Sequence, residues 1–216
     1  MKKQKICIIG GGLTGLVAAL VLSRSGANVD LFVGKKSHQA SKLVNARSIG
    51  ISKSNYDFLL NYNFFNKFKK KMWQINEIKI YEDFNNNMRE ILNFEKNELM
   101  YMINYSLFVN FLQKEVSKNK LINLKKINIS QKKISKIMSE KNLFIYNLIL
   151  NCTGSKSILT KDNGKNGALK SEFYETAFST ILKHNLIKKN NIAKQLFLKE
   201  GPLALLPISD NETALV

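Results

Sequence analysis

Histidine, cysteine and acidic side chains are scarce in this chain, and long apolar runs are missing. Its 216 residues include two histidines, two cysteines and 16 Asp or Glu against 34 Lys or Arg. His38 and His184 fall in a polar loop and beside a strand-like run, with no cysteine or carboxylate at ligand spacing. That pattern argues against a metal centre. Cys7 and Cys152 each sit in an apolar run, which reads as two buried thiols rather than a disulfide or a metal pair. No apolar stretch approaches the ~18 residues of a membrane-crossing helix. The start Met1-Lys2-Lys3-Gln4-Lys5 imitates a signal peptide, but glycines follow and a small-residue cleavage site is missing. The expected location is therefore cytoplasmic. Neither a nucleophile elbow nor an acid–base pair is visible, and there are no internal repeats.

Hydrophobic residues make up 44%, enough for a packed core, and the formal charge is +18. The lysines are spread: Lys67 and Lys69 to Lys71, then Lys125 and Lys126, then Lys132, Lys133 and Lys136. Asn and Ile are interleaved with them, the trio that AT-rich coding favours, so much of the charge reads as compositional drift. No nucleic-acid-binding motif accompanies it, and no nucleic-acid partner is expected. A weak peripheral attraction to the anionic inner face of a membrane is the charge-driven partnership left open.

The most informative stretch is Lys5 to Gly15, K-I-C-I-I-G-G-G-L-T-G. Ile6 to Ile9 form an apolar run suited to a buried parallel strand. Gly10, Gly12 and Gly15 then fit G-x-G-x-x-G, with Gly11, Leu13 and Thr14 between them, and Leu16 to Leu22 follows as an apolar helix. Gly10 permits the sharp turn, Gly12 leaves room for a pyrophosphate, and Gly15 permits close helix packing. The helix start adds N–H groups and a positive dipole end. Strand, glycines and helix together predict a dinucleotide site, against a glycine turn without a ligand.

Further on, Ser25-Gly26-Ala27 closes the helix, and Asn28 to Val33 is the second strand. Such a strand usually ends in a carboxylate that holds a ribose. Here it ends in Val33, and Asp30 lies too early, so no ribose carboxylate is assigned. Ser52 or Ser54 can cap a helix through Leu60. Arg47, just before, can reach a phosphate or a planar ligand, or stand as a solvated loop arginine. Ile75–Tyr81 and Met88–Phe94 flank Asn85-Asn86-Asn87 as a hairpin, with Trp73 packing at its edge. Tyr105 to Val116 has helical periodicity, with Leu107, Phe108, Phe111, Leu112 and Val116 on one side. Leu121–Ile129, Ile134–Met138, Thr176–Leu182 and Gln195–Leu198 read as strands. Asn142–Leu150 reads as a buried strand leaving through the polar turn Asn151 to Ser157, and 161–170 reads as a loop. Gly201 to Pro207 is an apolar segment bounded by prolines, and Ala214 to Val216 reads as part of a strand.

With these pieces in place the chain resembles the ubiquinone-biosynthesis hydroxylases, FAD-dependent aromatic monooxygenases related to para-hydroxybenzoate hydroxylase. The glycines match the family's FAD fingerprint. R-S-I-G-I-S at Arg47 to Ser52 matches its Arg-x-x-x-(Leu/Ile)-Ser segment, and N-C-T-G-S-K-S at Asn151 to Ser157 stands where the family has Ala-Asp-Gly-x-x-Ser. The most specific match is A-K-Q-L-F-L-K-E-G-P-L-A-L-L-P-I-S-D at Ala193 to Asp210, similar to Gln-x-Phe … Gly-Pro-Leu-Ala-Leu-Leu-Pro-Leu. The chain departs at Val33 and at Thr153, where the family has acids. The family's second FAD motif, Gly-Asp before a His-x-x-x-Pro loop, would lie beyond Val216. The chain thus reads as the family's N-terminal part, expected to hold FAD weakly by itself.

The resemblance implies an α/β fold: a Rossmann-like FAD-binding domain with a mostly antiparallel, truncated substrate-domain sheet. The first domain is expected over residues 1–72 and 98–165, the second over 73–97 and 166–216. The implied reaction is hydroxylation of a polyprenylphenol, with FAD as cofactor, NAD(P)H as electron donor and O₂ as oxidant. No catalytic side chain is assigned, because the cofactor carries the chemistry. Cofactor-binding residues are Gly10, Gly11, Gly12, Leu13, Thr14, Gly15, Arg47, Thr153 and Gly154. Two other readings stand beside it: another FAD- or NAD(P)-linked oxidoreductase, and an inactive nucleotide-binding remnant.

Overall fold

The computed structural model describes residues 4–34, 47–127, 145–154 and 175–216. His38, Lys132, Lys133 and Lys136, the strand expected at Ile134–Met138, the turn residues Ser155 to Ser157 and the 161–170 loop lie outside them. By contact the chain divides into residues 1–39 with 109–173, and 40–108 with 174–216.

The first unit is built on a parallel sheet in the order β6-β2-β1-β7. Its strands are β1 (Lys5–Ile9), β2 (Asn28–Gly34), β6 (Ile122–Ile127) and β7 (Leu148–Asn151). Cys7, Ile8, Ile9 and Leu31 are fully buried, the continuous apolar pattern of a strand covered on both faces. Helix α1 (Leu13–Arg24) begins three residues before the expected Leu16 and buries Leu16, Ala19 and Leu20. Gly26, at φ +85, follows its C-cap Ser25 as expected. The expected burial of Asn142–Leu150 is corrected: β7 is the outer strand among the described residues, and Leu148 is 44% exposed. A run as apolar as N-L-I-L does not show which strands will flank it. Both cysteines are free, and only Cys7 is fully buried; Cys152 sits half-buried just past β7.

The second unit is a seven-stranded sheet in the order β3-β5-β4-β9-β10-β11-β8. Its strands are β3 (Ser48–Ser52), β4 (Trp73–Phe84), β5 (Asn87–Asn104), β8 (Thr180–Lys183), β9 (Ile192–Leu198), β10 (Gly201–Pro207) and β11 (Glu212–Leu215). Every neighbouring pair is antiparallel except β4 with β9. Asn85 and Asn86 turn the β4–β5 hairpin at φ 53 and 60, the left-handed pair a two-residue hairpin favours. Ile75, Met102 and Ala193 form the buried centre, with Trp73 packed against it and its Nε1 donating to the Asn190 carbonyl at 2.5 Å.

Strand β3 was not expected; the sequence reading ran from Arg47 straight to a capped helix. That helix, α2 (Lys53–Leu60), is capped by Ser52, whose Oγ accepts from Asn55 N at 3.4 Å. A short helix, α3 (Asn63–Asn66), and a 3-10 turn at Lys69–Lys71 follow. Helix α4 (Tyr105–Lys118) buries Phe108, Leu112 and Val116. Leu107, expected on that face, is 51% exposed, because the buried positions recur at i, i+4 and i+8 and leave it off the stripe.

One buried charge ties the first sheet together. Asp30, in the middle of β2, is almost fully buried. Tyr146 OH donates to it at 2.7 Å, Lys125 Nζ at 2.9 Å and Asn123 Nδ2 at 3.0 Å, and Lys5 Nζ lies at 3.6 Å. Burial pushes its carboxyl up, but the bonds from Tyr146, Lys125 and Asn123 and the Lys125 charge outweigh it and hold the carboxyl below its ordinary range. Burial, with the Asp30 charge beside it, pushes the Cys7 thiol up to about 11. A carboxylate with a depressed pKa stabilises the fold above its unfolded value and loses that contribution as pH falls through the folded value. Asp30→Ala is therefore expected to lower stability at pH 7 by about 1–3 kcal/mol, since it strands a half-buried phenol and a partly solvated lysine. Urea titrations of both proteins should show this gap closing as pH falls below the ordinary carboxylate range; a gap independent of pH would remove the carboxylate from the explanation.

Candidate dinucleotide-binding site

The site grows from the end of β1. Gly10 N donates to the Phe32 carbonyl at 2.9 Å, and Cys152 N donates to the Ile9 carbonyl at 2.7 Å. The chain then turns through Gly10 at φ +126, a conformation L side chains rarely adopt. A Cβ there would also meet the Cys152 carbonyl oxygen at 2.2 Å. A Cβ on Gly15 would come within 1.9 Å of the Gly10 carbonyl oxygen. The first turn of α1 thus lies directly on the loop that leaves β1. Gly11 has its own tight contact, because a Cβ there would reach Val33 Cγ1 at 2.6 Å.

Gly12 behaves differently. A Cβ placed on it finds nothing within 4 Å. Gly12 is the N-cap of α1, no side chain caps that end, and its first turn carries no acid. Open space, the amides of Leu13, Thr14 and Gly15, and the positive end of the helix dipole therefore coincide. This arrangement suits a phosphate or pyrophosphate held by backbone groups.

The turn after β7 lies beside this loop, because β1 and β7 are parallel neighbours. Thr153 is tied to Asn151: its N and its Oγ1 both donate to Asn151 Oδ1, at 3.3 and 2.8 Å. Gly154 follows at φ +69 with open space around it. Gly10 to Gly15, Thr153 and Gly154 thus gather at the C-terminal ends of two adjacent parallel strands, where open α/β sheets bind ligands. Val33, at the end of β2, is buried and offers no polar atom to a ribose.

Arg47 belongs to the second unit. It is exposed at the start of β3, its carbonyl accepts from Tyr105 N at 3.0 Å, and its guanidinium lies 4.7 Å from the centre of the Tyr105 ring. Tyr105 is the partner that sequence reasoning missed, since nothing local to Arg47 points to it. His184 is held by Thr213 Oγ1 at 2.9 Å and the Asn185 carbonyl at 2.8 Å. Among the described residues no group of three or more His, Cys, Asp or Glu is arranged to hold a metal ion.

No protein-family model matches the chain, and no curated protein matches it significantly in sequence. Solved structures do match. The p-nitrophenol 4-monooxygenase PnpA from Pseudomonas putida DLL-E4 aligns over 99% of this chain and 57% of its own, with TM-score 0.64 and 12% identity. PqsL of Pseudomonas aeruginosa, described as a probable FAD-dependent monooxygenase, aligns over 99% and 60%, with TM-score 0.65 and 9% identity. CtdE, solved in complex with FAD, aligns over 99% and 58%, with TM-score 0.56 and 13% identity. The chain therefore has the fold of the FAD-binding monooxygenases, and it spans less than two thirds of the length of these proteins.

The two glycines separate structure from binding. Gly15→Val is expected to destabilise the chain by about 3 kcal/mol or more, because the added atoms meet a backbone carbonyl. Gly12→Val should cost about 1 kcal/mol or less. Thermal unfolding of the two variants checks the order; equal losses would mean that the Gly12 cradle is not open.

Proposed function

We infer that this chain binds FAD at Gly10 to Gly15 and acts in the hydroxylation of an aromatic ring. The observation that carries the reading is the open cradle at Gly12, set at a strand end beside an uncapped helix start. The likeness of fold to two proteins described as monooxygenases, and to a third solved with FAD, supports it. Leu13, Thr14 and Gly15 would hold the pyrophosphate through their N–H groups. Thr153 and Gly154 would border it; the resemblance assigns Arg47 to the cofactor as well. Val33 would leave the ribose without the usual carboxylate. Bound there, FAD would supply the redox chemistry, with NAD(P)H as electron donor and O₂ as oxidant. This chain's residues would bind and orient it and shield it from water.

The substrate class we assign is a polyprenylphenol of ubiquinone biosynthesis. Support comes from the segment most specific to that resemblance. Gln195 to Phe197 and Gly201 to Pro207 lie on β9 and β10, which pair antiparallel with Ala204 opposite Gln195 and Pro202 opposite Phe197. The two halves of the motif thus form one hairpin inside the second sheet.

FAD titration with calorimetric readout tests the cofactor assignment. The chain should bind FAD measurably, and Gly12→Val should weaken binding at least about tenfold while leaving circular dichroism unchanged, as a loss of about 1.4 kcal/mol or more. Unchanged affinity in Gly12→Val would refute the site. For the substrate, this chain extended to the full length of such monooxygenases and supplied with FAD, NAD(P)H and O₂ should convert a polyprenylphenol to a product one oxygen heavier, whereas the 216-residue chain should not. Preference for an unprenylated phenol such as p-nitrophenol would overturn the substrate class.

A further inference from the structure

The segment Asn61 to Met72 carries a dense run of positive charge on a rigid frame. Phe65 N bonds to the Tyr62 carbonyl at 2.9 Å, Phe68 N to that of Phe65 at 2.8 Å, and Lys71 N to that of Phe68 at 2.9 Å. These bonds wind the chain into successive tight turns. Phe64, Phe65 and Phe68 are buried. The Phe65 and Phe68 rings lie 6.0 and 4.9 Å from the Phe108 ring and fasten the turns to the core. Lys69, Lys70 and Lys71 are left exposed. No Asp or Glu occurs between Asp57 and Glu77 to offset them along the chain. Just before the run, Phe58 at the end of α2 is 49% exposed, with its ring 5.4 Å from that of Tyr62.

We propose that this basic turn docks on the anionic headgroups of a phospholipid bilayer, with Phe58 entering the interface. Charge complementarity selects the partner: clustered lysines favour an anionic surface, and an exposed aromatic ring favours the boundary between headgroup and acyl chain. The purpose rests on the polyprenylphenol reading, since such a substrate resides in the bilayer; the docking itself does not require it. Each lysine near an anionic surface contributes roughly fivefold to partitioning. The contribution fades as salt shortens the screening length.

Flotation with vesicles of about 7:3 phosphatidylcholine to phosphatidylglycerol tests the proposal against vesicles of phosphatidylcholine alone. The chain should float with the first at low salt and be released at high salt. The combined variant Lys69→Gln, Lys70→Gln and Lys71→Gln should lose roughly a hundredfold in partitioning. The combined variant Lys114→Gln, Lys120→Gln and Lys188→Gln, with the same change in net charge elsewhere on the surface, should lose less than about threefold. Equal losses would assign binding to overall charge and overturn the turn as a docking site. Equal flotation with neutral vesicles, or none with either, would also overturn it. If single-stranded RNA displaced the chain from the vesicles at equal salt, the basic turn would be a nucleic-acid surface instead. FAD binding is read separately in the same preparations, so a failure of docking leaves the flavin assignment standing, and the reverse.

Discussion

The approach of Gly15 to the Gly10 carbonyl governs how the candidate nucleotide site is made. With 1.9 Å between that oxygen and the place of a missing Cβ, only glycine lets α1 begin directly on the loop that leaves β1. The helix axis is thereby fixed against the strand end, and its amides face a defined point. Gly10 is constrained from its other side by the Cys152 carbonyl. The strand end, the helix start and the turn after β7 are therefore locked by two close backbone approaches rather than by side-chain bonds. Packing this tight transmits small volume changes, and a single methyl at either position has no space to relax into.

The second unit solves a different problem. Its long β4–β5 hairpin pairs Ile78 with Phe94 and Ile80 with Leu92, while Glu77, Lys79 and Glu90 make ion pairs on the alternate positions. Register shifts at Ile75/Glu77 and Ile80/Tyr81 interrupt the ladder and bend it locally. Strand alternation thus separates an apolar face, on which Leu92 and Phe94 are half exposed, from a charged one. The hairpin of β9 and β10 continues the sheet, which places the Gly-Pro-Leu-Ala-Leu-Leu-Pro segment between β9 and β11.

Local chemistry was legible in the sequence and long-range pairing was not. The glycine loop, the Ser52 cap, the Gly26 C-cap and the Asn85–Asn86 turn each follow from the demands of a few adjacent residues. Strand β3 escaped because Ser-Ile-Gly-Ile-Ser is short and gains its pairing only from the far end of β5. The exposure of β7 and the ring behind Arg47 escaped for the same reason, as each depends on residues distant in the chain. Nothing near Asp30 in the sequence announces that Tyr146, Asn123 and Lys125 converge on it. A mid-strand acid in an apolar run was the available signal, since such a charge is tolerated only when partners reach it.

The departures at Val33 and Thr153 follow from how the site is built. Val33 packs against Gly11, and the Thr153 hydroxyl is taken up by Asn151. Neither side chain is left to face a ligand, so what remains of the site is almost wholly backbone: amides at the start of α1, the gap at Gly12 and the left-handed Gly154. Recognition by backbone constrains only the positions where a Cβ would intrude. Such a site tolerates change at nearly every other position while keeping its shape. Low sequence identity is compatible with such a site: the chain aligns with PnpA, PqsL and CtdE over 99% of its length at 9–13% identity.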